Sequence, residues 1–262
     1  MIKKLLLILI TTLALNTFAS AGSDGDLILK KNEPSEVKDC FEKFNRATFA
    51  LNQTLDGVIF KPVAKVYRML PSPARTGLSN SLNNLSHLTT IPNNIIQGDL
   101  ITAGKNTGRF IINTTLGILG LFDVAQHVGL AGYEKEDYGQ SFAALGAEPG
   151  CYIVLPVLGP STARDTIAST INFLGGDPWY NVTVKNDTQY FKDADYYSSK
   201  AGSGVDFRAK NYDSINNLEE NSIDFYASVK SLYLQDRQQK ILNTKKIIDT
   251  QDDSEWEEIE SQ

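Results

Sequence analysis

The sequence has few of the residues on which most catalytic and metal-binding sites depend. Its 262 residues include two cysteines, two histidines and two tryptophans. Two cysteines exclude a disulfide-dense scaffold and a four-thiolate zinc site. The net charge is −6, with 25 basic residues against 31 acidic ones. General nucleic-acid binding is therefore excluded, because it depends on an excess of cations that neutralise phosphates.

The first apolar run is too short to cross a bilayer, which takes roughly 20 apolar residues. A basic start at Lys3 and Lys4 precedes apolar residues 5–15 and the small residues Ala19-Ser20-Ala21. This pattern predicts a secretory signal peptide over residues 1–21, with an uncleaved anchor as the weaker alternative. The acylated cysteine of a bacterial lipoprotein is not found after this run. We expect the mature chain to work outside the cytoplasm.

Cys40 and Cys151 would then lie in an oxidising compartment, where a disulfide bond can form. Two separate buried thiols are the alternative. The sequence leaves both open, because it does not say whether the two Cα atoms come within roughly 7 Å of each other.

Three parts follow the signal peptide: a polar leader over 22–38, a helical domain over 39–243 and an acidic tail over 244–262. Apolar residues of the middle part recur at three- and four-residue steps, which indicates helices and a mainly α fold. Capping residues predict four helix starts: Ser72 before Pro73, Asp99 with an end near Thr115, Ser161 with an end near Phe173, and Ser222.

A segment rich in glycine and proline interrupts this helical pattern between residues 146 and 160. Such residues end helices and favour turns, so the segment is predicted to be an irregular loop or a short hairpin. The residues assigned to it are Gly146, Pro149, Gly150, Tyr152, Pro156, Gly159 and Pro160.

The segment Phe110–Phe122 contains no charged residue. At thirteen residues it cannot span a bilayer, and it is either a buried core helix or a helix that lies in one leaflet. Under the second interpretation, the residues that contact acyl chains are Phe110, Ile111, Leu116, Ile118, Leu119, Leu121 and Phe122.

Lys61, Lys65 and Arg68 are spaced so that they share one face of a helix. They form either an ordinary solvated stripe or a surface that faces phosphate head groups, since anionic leaflets attract such clusters.

Motifs of common enzymes are missing. The sequence has no G-x-S-x-G, H-E-x-x-H or C-x-x-C, and Gly98–Lys105 has one residue too many between its glycines for a phosphate-binding loop. His87 and His127 are single histidines, which are more often structural. We therefore expect a protein that is not an enzyme and needs no metal or cofactor.

Four segments in chain order resemble the MlaA/VacJ family of Gram-negative outer-membrane proteins. They are Asp39-Cys40-Phe41-Glu42-Lys43-Phe44-Asn45-Arg46 with Phe49 and Asn52; residues 71–80 with Asn83-Asn84-Leu85; Asn93-Asn94, Gln97-Gly98-Asp99, Arg109-Phe110, Asn113-Thr114 and Gly117; and residues 138–142 with Gly146, Gly150, Tyr152, Leu155-Pro156, Gly159-Pro160-Ser161 and Arg164-Asp165. The chain departs from the family at Cys40, which replaces a proline, and in the missing lipoprotein cysteine.

The resemblance implies a ring-like helical domain in the inner leaflet of the outer membrane, on the periplasmic side. Its central amphipathic channel would remove phospholipids misplaced in the outer leaflet and pass them to a soluble periplasmic lipid-carrier protein. An outer-membrane porin trimer is the other implied partner. The 146–160 segment is then predicted to shape or gate the channel. The alternatives are a soluble periplasmic interaction or scaffold protein and a secreted hydrolase.

Overall fold

The computed structural model describes residues 37–130, 132–185 and 191–260, with side chains through residue 242. The predicted signal peptide and nearly all of the polar leader lie outside these residues. The described residues belong to one unit that begins at Val37. In chain order, the elements are α1 (Glu42–Leu55), α2 (Lys61–Tyr67), α3 (Ser72–Ile96), α4 (Leu100–Thr115), α5 (Val124–His127), α6 (Tyr138–Ala144), β1 (Tyr152–Leu155), β2 (Gly159–Thr162), α7 (Ala163–Ile171), α8 (Asp193–Lys210), α9 (Tyr212–Asn221) and α10 (Phe225–Glu260).

Short π-helical turns continue two of these helices. Asp56–Phe60 joins α1 to α2, and Asn172–Gly176 extends α7, while a third turn spans Tyr180–Val184. The prediction of a mainly helical fold with one small hairpin is confirmed. The helix α10 continues through residues 244–260 of the predicted acidic tail.

Helix starts follow local capping chemistry. The Asp99 side chain accepts a hydrogen bond from the Thr102 backbone N–H at 2.9 Å, and α4 ends at Thr115, as predicted. α7 is capped by Thr162 rather than by the predicted Ser161, with Asp165 as the donor residue. Both residues satisfy N–H groups that the first helical turn leaves without partners.

The glycine- and proline-rich segment contains an antiparallel hairpin in which Leu155 of β1 faces Gly159 of β2. Its tip reverses through Val157 and Gly159, whose φ angles are +66° and +83°. Gly159 adopts such an angle without strain, whereas Val157 is a β-branched residue in a region that it rarely occupies.

Helix α1 holds the outer edge of β1 with two asparagine side chains. Asn45 donates to the Tyr152 carbonyl at 3.0 Å and accepts from the Val154 N–H at 2.9 Å. Asn52, two helical turns later, does the same for the Leu155 carbonyl and the Val157 N–H. The two amides take the place of a third strand.

A covalent bond also links the start of α1 to the start of β1, because Cys40 and Cys151 form a disulfide bond with their Cα atoms 5.6 Å apart. This decides between the two interpretations of the cysteines. It joins Cys40, two residues before α1, to Cys151, the residue before β1, across 111 positions of sequence.

A small aromatic core lies where α1, β1 and α10 meet. Phe49, Tyr152, Val154 and Tyr226 are its buried members, and Phe225, Val229 and Leu234 pack against it. Phe49 makes edge-to-face contacts with the rings of Phe225 and Tyr226, at centroid distances of 5.3 and 5.4 Å.

Candidate functional site: an apolar surface and a polar cavity

The long helix α3 buries polar side chains instead of an apolar stripe. All of its buried residues are polar: Ser79, Asn84, His87, Thr89, Thr90, Asn93 and Asn94. A helix at the surface of a water-soluble protein ordinarily shows the opposite arrangement. The polarity of its buried face is therefore the reverse of that expected for a helix that faces water.

Helix α4 meets α3 through hydrogen bonds between these buried groups. Asn106 donates to the Asn94 side chain at 2.9 Å, and Asn84 donates to the Thr114 hydroxyl at 2.8 Å. Polar side chains serve in the same way between helices in membranes, where lipid supplies no hydrophobic drive for helix association.

The interface extends to a nearly buried ion pair at the end of α4. Arg109 donates twice to Asp123, at 2.8 and 2.9 Å, and Asn113 donates to the same carboxylate. Burial acts to raise the pKa of Asp123, but Asn113 and Arg109 outweigh it and hold the pKa below its ordinary value. Asp123 is therefore ionised at neutral pH.

Large apolar side chains are exposed instead. They follow the outer faces of four stretches: Val58, Ile59, Val63, Val66, Met69 and Leu70; Ile95, Ile96, Leu100, Ile101 and Ile111; Leu116, Ile118, Leu119, Leu121 and Phe122; and Ile167, Ile171, Phe173 and Leu174. Apolar exposure of this extent marks a surface that contacts protein or membrane.

Six of the seven predicted acyl-chain contacts are exposed; Phe110 is half-buried. Leu116, Leu119 and Phe122 are 70%, 68% and 61% exposed, so the alternative of a buried core helix does not apply to this stretch. Contact with acyl chains stays a prediction.

The segment is also not one helix, in contrast to our expectation. After α4 ends, Ile118, Leu119 and Gly120 adopt φ angles of +53°, +55° and +85°. Gly120 is required here, since a Cβ would lie 2.5 Å from that of Asn84. The left-handed turn fixes the exposed apolar side chains in a strained conformation, which is a common feature of functional segments.

The predicted basic stripe is divided. Lys65 is exposed and Lys61 is half-buried. Arg68 pairs with Asp213 of the helix α9 at 2.7 Å, and its guanidinium lies 4.7 Å from the ring centroid of Tyr212. Its charge is already matched, which leaves the two lysines as the groups available to phosphate.

A cavity of about 210 Å³ opens between α3, α6, β2, α7 and α10. One water needs roughly 10–15 Å³ of such space, so several fit. The lining residues are Thr89, Asp137, Tyr138, Gly139, Pro160, Ser161, Asp165, Ala168, Ser169, Asn172, Tyr233 and Arg237.

Of the predicted loop residues, Pro160 is on this wall. Tyr152 is instead fully buried in the aromatic core. The others, Gly146, Pro149, Gly150, Pro156 and Gly159, are not among the residues described as lining the cavity.

An arginine between two carboxylates organises one side of the cavity. Arg237 donates to both oxygens of Asp137 at 2.6 Å and to both oxygens of Asp165 at 2.9 and 3.0 Å. Tyr233 donates its hydroxyl to Asp165 at 2.8 Å. Bidentate pairs of this kind fix orientation as well as charge.

Both carboxylates stay ionised for the same reason. Burial acts to raise the pKa of Asp137 and of Asp165, but the charge and hydrogen bonds of Arg237 outweigh it, and both pKa values lie below the ordinary one. Burial and the charge of Asp165 raise the pKa of Tyr233. The cavity therefore keeps its charges at neutral pH.

Helix α7 separates this cavity from the apolar surface. Asp165, Ala168, Ser169 and Asn172 follow one another at three- and four-residue steps and line the cavity. Ile167, Ile171 and Phe173 are on the other side and are 58%, 44% and 75% exposed. One helix thus has a wet face and an apolar exposed face.

Sequence reasoning missed most of this cavity. Of its residues, Asp165 stands in one of the family-like segments, which was a usable signal. Arg237 lies in α10, far from Asp137 and Asp165 in sequence, and no local pattern marks it.

The described residues offer little to a metal ion or a reaction. In this part of the chain, no three or more His, Cys, Asp or Glu residues form a group that could hold a metal. His87 is buried and stacked on Tyr133 at 4.2 Å, and burial lowers the pKa of its imidazole. Nor does any helix among the described residues have the length and apolarity to cross a bilayer.

Comparison with known proteins decides the family. The model of the MlaA lipoprotein family matches residues 37–240. The chain belongs to the MlaA lipoprotein family. This confirms the resemblance, and membership in this transport family confirms the prediction that the chain is not an enzyme.

Individual relatives agree. An uncharacterized protein of Rickettsia bellii is 35% identical over 79% of this chain and 78% of its own length. The intermembrane phospholipid transport system lipoprotein MlaA of Haemophilus influenzae is 29% identical over 83% and 84%. Against further Rickettsia relatives, the matched region spans about half of their length, 54% for the one from Rickettsia prowazekii.

A solved structure has the same fold. It comes from work on the structural basis for maintenance of bacterial outer membrane lipid asymmetry, and it is 31% identical to this chain. The two superpose with a TM-score of 0.66 over 78% of this chain and 99% of that one. The MlaA-like fold of the chain is thereby established.

Proposed function

We propose that this chain carries out intermembrane phospholipid transport and so maintains the lipid asymmetry of the outer membrane. It takes phospholipids misplaced in the outer leaflet through an amphipathic channel and gives them to a periplasmic lipid carrier. The observation that carries the proposal is the two-faced helix α7, with a polar cavity on one side and exposed Ile167, Ile171 and Phe173 on the other.

The arrangement suits the physical problem. Moving a polar head group through hydrocarbon costs several kcal/mol, because its hydrogen bonds with water are not replaced. A passage with polar walls such as the one beside Asp137 and Arg237 restores those hydrogen bonds. The exposed apolar residues keep the surroundings of the acyl chains apolar.

The cost of removing the acyl chains from the membrane implies a carrier partner. Extraction of two acyl chains with about 30 methylenes costs ~24 kcal/mol, at ~0.8 kcal/mol for each methylene. A protein in the membrane therefore lowers the barrier for the head group, and a soluble partner with an apolar cavity accepts the chains. The step needs no cofactor.

The location belongs to the same proposal. The helical domain, residues 39–243, forms a ring in the inner leaflet of the outer membrane, beside a porin trimer and facing the periplasm. A signal peptide over 1–21 exports it, and the leader and the acidic tail flank the ring. The helices α3 and α4 support this placement, since nearly all of their buried residues are polar and large apolar residues such as Ile96, Leu100 and Ile111 are exposed.

We assign the 146–160 segment to the wall of the channel. Pro160 and Ser161 line the cavity, whereas the stretch from Cys151 to Val157 is held by the disulfide bond and by Asn45 and Asn52. Movement that gates the channel would therefore have to come from residues outside the stretch from Cys151 to Val157. A disulfide staple from residue 146 to a neighbouring helix that leaves lipid transport at full speed would remove the gating role.

Deletion of the gene in its host, or its expression in a Gram-negative host that lacks its own MlaA protein, tests the function. We expect phospholipid to accumulate in the outer leaflet without the protein, and the full chain to reverse this. An outer leaflet of unchanged composition after deletion would contradict the proposal.

Fractionation separates the proposed protein from a soluble scaffold. A salt wash should release a scaffold from membranes, whereas a protein set in a leaflet should need detergent. Lipid mass spectrometry of the purified protein separates it from a hydrolase, which would hold cleaved lipid instead of intact phospholipid.

A further inference from the structure

Four aromatic side chains pack together beyond the end of α7, and we call them the tyrosine–tryptophan cluster. The ring centroid of Tyr196 is 4.9 Å from that of Trp179. The rings of Tyr180 and Tyr197 lie 5.2 and 5.3 Å from the ring of Tyr196. The cluster holds one of the two tryptophans of the chain and three of its eleven tyrosines. It therefore concentrates the side chains that combine an apolar ring with a polar end.

Two hydroxyl groups of the cluster are bonded to aspartates. Tyr196 donates to Asp177 at 2.8 Å, and Tyr180 donates to Asp193 at 2.9 Å. Asp177 is buried and also accepts from the Trp179 backbone N–H at 2.9 Å. Because these bonds join the cluster to the residues after α7 and to the start of α8, its position in the fold is fixed.

The exposed polar groups at the cluster are hydrogen-bond donors. Tyr197 is 56% exposed, and its hydroxyl has no hydrogen-bond partner within the described residues. Lys185, which follows the turn Tyr180–Val184, is also exposed. A phenol can donate one hydrogen and an ammonium three, and both groups suit the oxygen atoms of a phosphate.

The two flanks of the cluster differ in polarity. Phe173 and Leu174, in the turn that extends α7, are exposed and continue the apolar face of that helix. On the other flank, α8 begins with the exposed acids Asp193 and Asp195. Charged side chains are expensive in hydrocarbon, so the acidic flank has to stay in water, whereas the apolar flank suits acyl chains. The cluster lies where the two kinds of surface meet.

We propose that the tyrosine–tryptophan cluster lies among phospholipid head groups at the periplasmic surface of the leaflet. Tryptophan and tyrosine are enriched at this level of a membrane, because their rings are apolar while one end forms hydrogen bonds. Tyr197 and Lys185 donate to head-group phosphates. Phe173 and Leu174 then reach the acyl chains, while Asp193 stays in water. The inference rests on the proposed function and adds the depth at which this end of α7 lies.

Nitroxide labels measure this depth. Because Cys40 and Cys151 bond each other and the chain has two cysteines, an introduced cysteine is the only free thiol. The full chain with Phe173→Cys, Tyr197→Cys or Gln235→Cys is labelled and added to vesicles of ethanolamine-type phospholipid with a minor share of glycerol-type phospholipid. Electron paramagnetic resonance then measures collisions of the label with oxygen, which concentrates in hydrocarbon, and with a nickel chelate, which stays in water.

We expect the oxygen-to-nickel ratio to fall from Phe173→Cys to Tyr197→Cys, and again to Gln235→Cys. The label at Tyr197→Cys should lie in the head-group layer, which is about 5–8 Å thick on each side of the hydrocarbon. Gln235 is the matched control, because it is exposed on α10, which packs on the aromatic core. If Tyr197→Cys does not fold, Lys185→Cys reports the same level.

The outcomes separate this inference from the proposed function. A ratio at Tyr197→Cys as low as at Gln235→Cys places the cluster in water, and a ratio as high as at Phe173→Cys places it in hydrocarbon. Either result overturns the inference. The proposed function still holds if Leu119→Cys gives a high ratio in the same vesicles and the unlabelled chain restores asymmetry in cells. Low ratios at all positions, together with failure to restore asymmetry, overturn the proposed function itself.

Discussion

Where α1, β1 and α10 meet, the buried side chains are aromatic and aliphatic apart from Asn45 and Thr48, whereas α3 and α4 bury mainly amides, hydroxyls and a guanidinium. The first region is built as in a water-soluble protein and is closed by a disulfide bond. The second hides its polar groups and exposes its apolar ones. The difference indicates two surroundings for one chain, an aqueous one and an apolar one.

Removal of the disulfide bond should have the largest effect of the changes proposed here. It acts on the region where α1, β1 and α10 meet. Cys40→Ser with Cys151→Ser opens a loop of 111 residues, and loops of about that size lose ~4–5 kcal/mol of stabilisation in the chain-entropy model. Chemical unfolding with and without reductant measures the change. A reductant that lowers the stability of the double variant as well would show that the effect has another origin.

The second largest effect is expected on the pH dependence of stability, through Glu136. This residue is buried and accepts a hydrogen bond from the Gln97 side chain at 3.0 Å. Burial raises its pKa from 4.5 to about 7. Its contribution to stability is therefore fully present below about pH 4.5 and is lost as the pH rises through 7. The loss is about 3 kcal/mol, at 1.36 kcal/mol for each unit.

Glu136→Gln should abolish this slope, since glutamine still accepts from Gln97 and carries no charge. We expect the variant to be more stable than the wild type at pH 8 and similar to it at pH 4.5, in unfolding followed by circular dichroism in detergent. Glu220, which is exposed on α9, is changed to Gln as the control. Parallel pH profiles for the wild type and Glu136→Gln would refute the prediction.

A charge placed on the apolar surface should weaken membrane attachment by a smaller amount. Leu119→Asp adds a carboxylate to an exposed side chain, which costs up to about 3 kcal/mol in hydrocarbon and less near the interface. We expect more protein in the soluble fraction after sedimentation of membranes. Gln235 is exposed on α10, which packs on the aromatic core. Gln235→Asp should therefore fractionate like the wild type. Unchanged fractionation of Leu119→Asp would place this stretch outside the leaflet.

The smallest expected effect belongs to the basic residues of α2. Neutralising Lys61 and Lys65 should weaken binding to anionic vesicles by about 1 kcal/mol each. Arg68→Gln should change the binding less, because Asp213 already matches its charge. If the three changes have equal effects, or if none of them has an effect, the three residues form an ordinary solvated stripe.

The sequence allowed α4 and the hairpin to be predicted, because caps and breakers act locally, whereas the predicted cap Ser222 ends α9 and does not begin α10. Asp99 and Thr115 bound α4 as expected, and Pro156 and Gly159 mark the hairpin. The inversion of α3 was not predictable in this way, since periodicity shows that a helix has two faces without telling which of them meets water. The cavity depends on Arg237 meeting Asp137 and Asp165 across long sequence distances, and only the fold brings them together.

The amides of α1 also protect the hairpin from other chains. An open strand edge offers unpaired N–H and C=O groups on which a second molecule can add a strand, and this is a common route to aggregation. In β1, the Tyr152 carbonyl and the Val154 N–H bond Asn45, the Leu155 carbonyl bonds Asn52, and the Tyr152 N–H bonds the Lys38 carbonyl. Once α1 docks, each of these bonds leaves one group fewer on which a second molecule can add a strand.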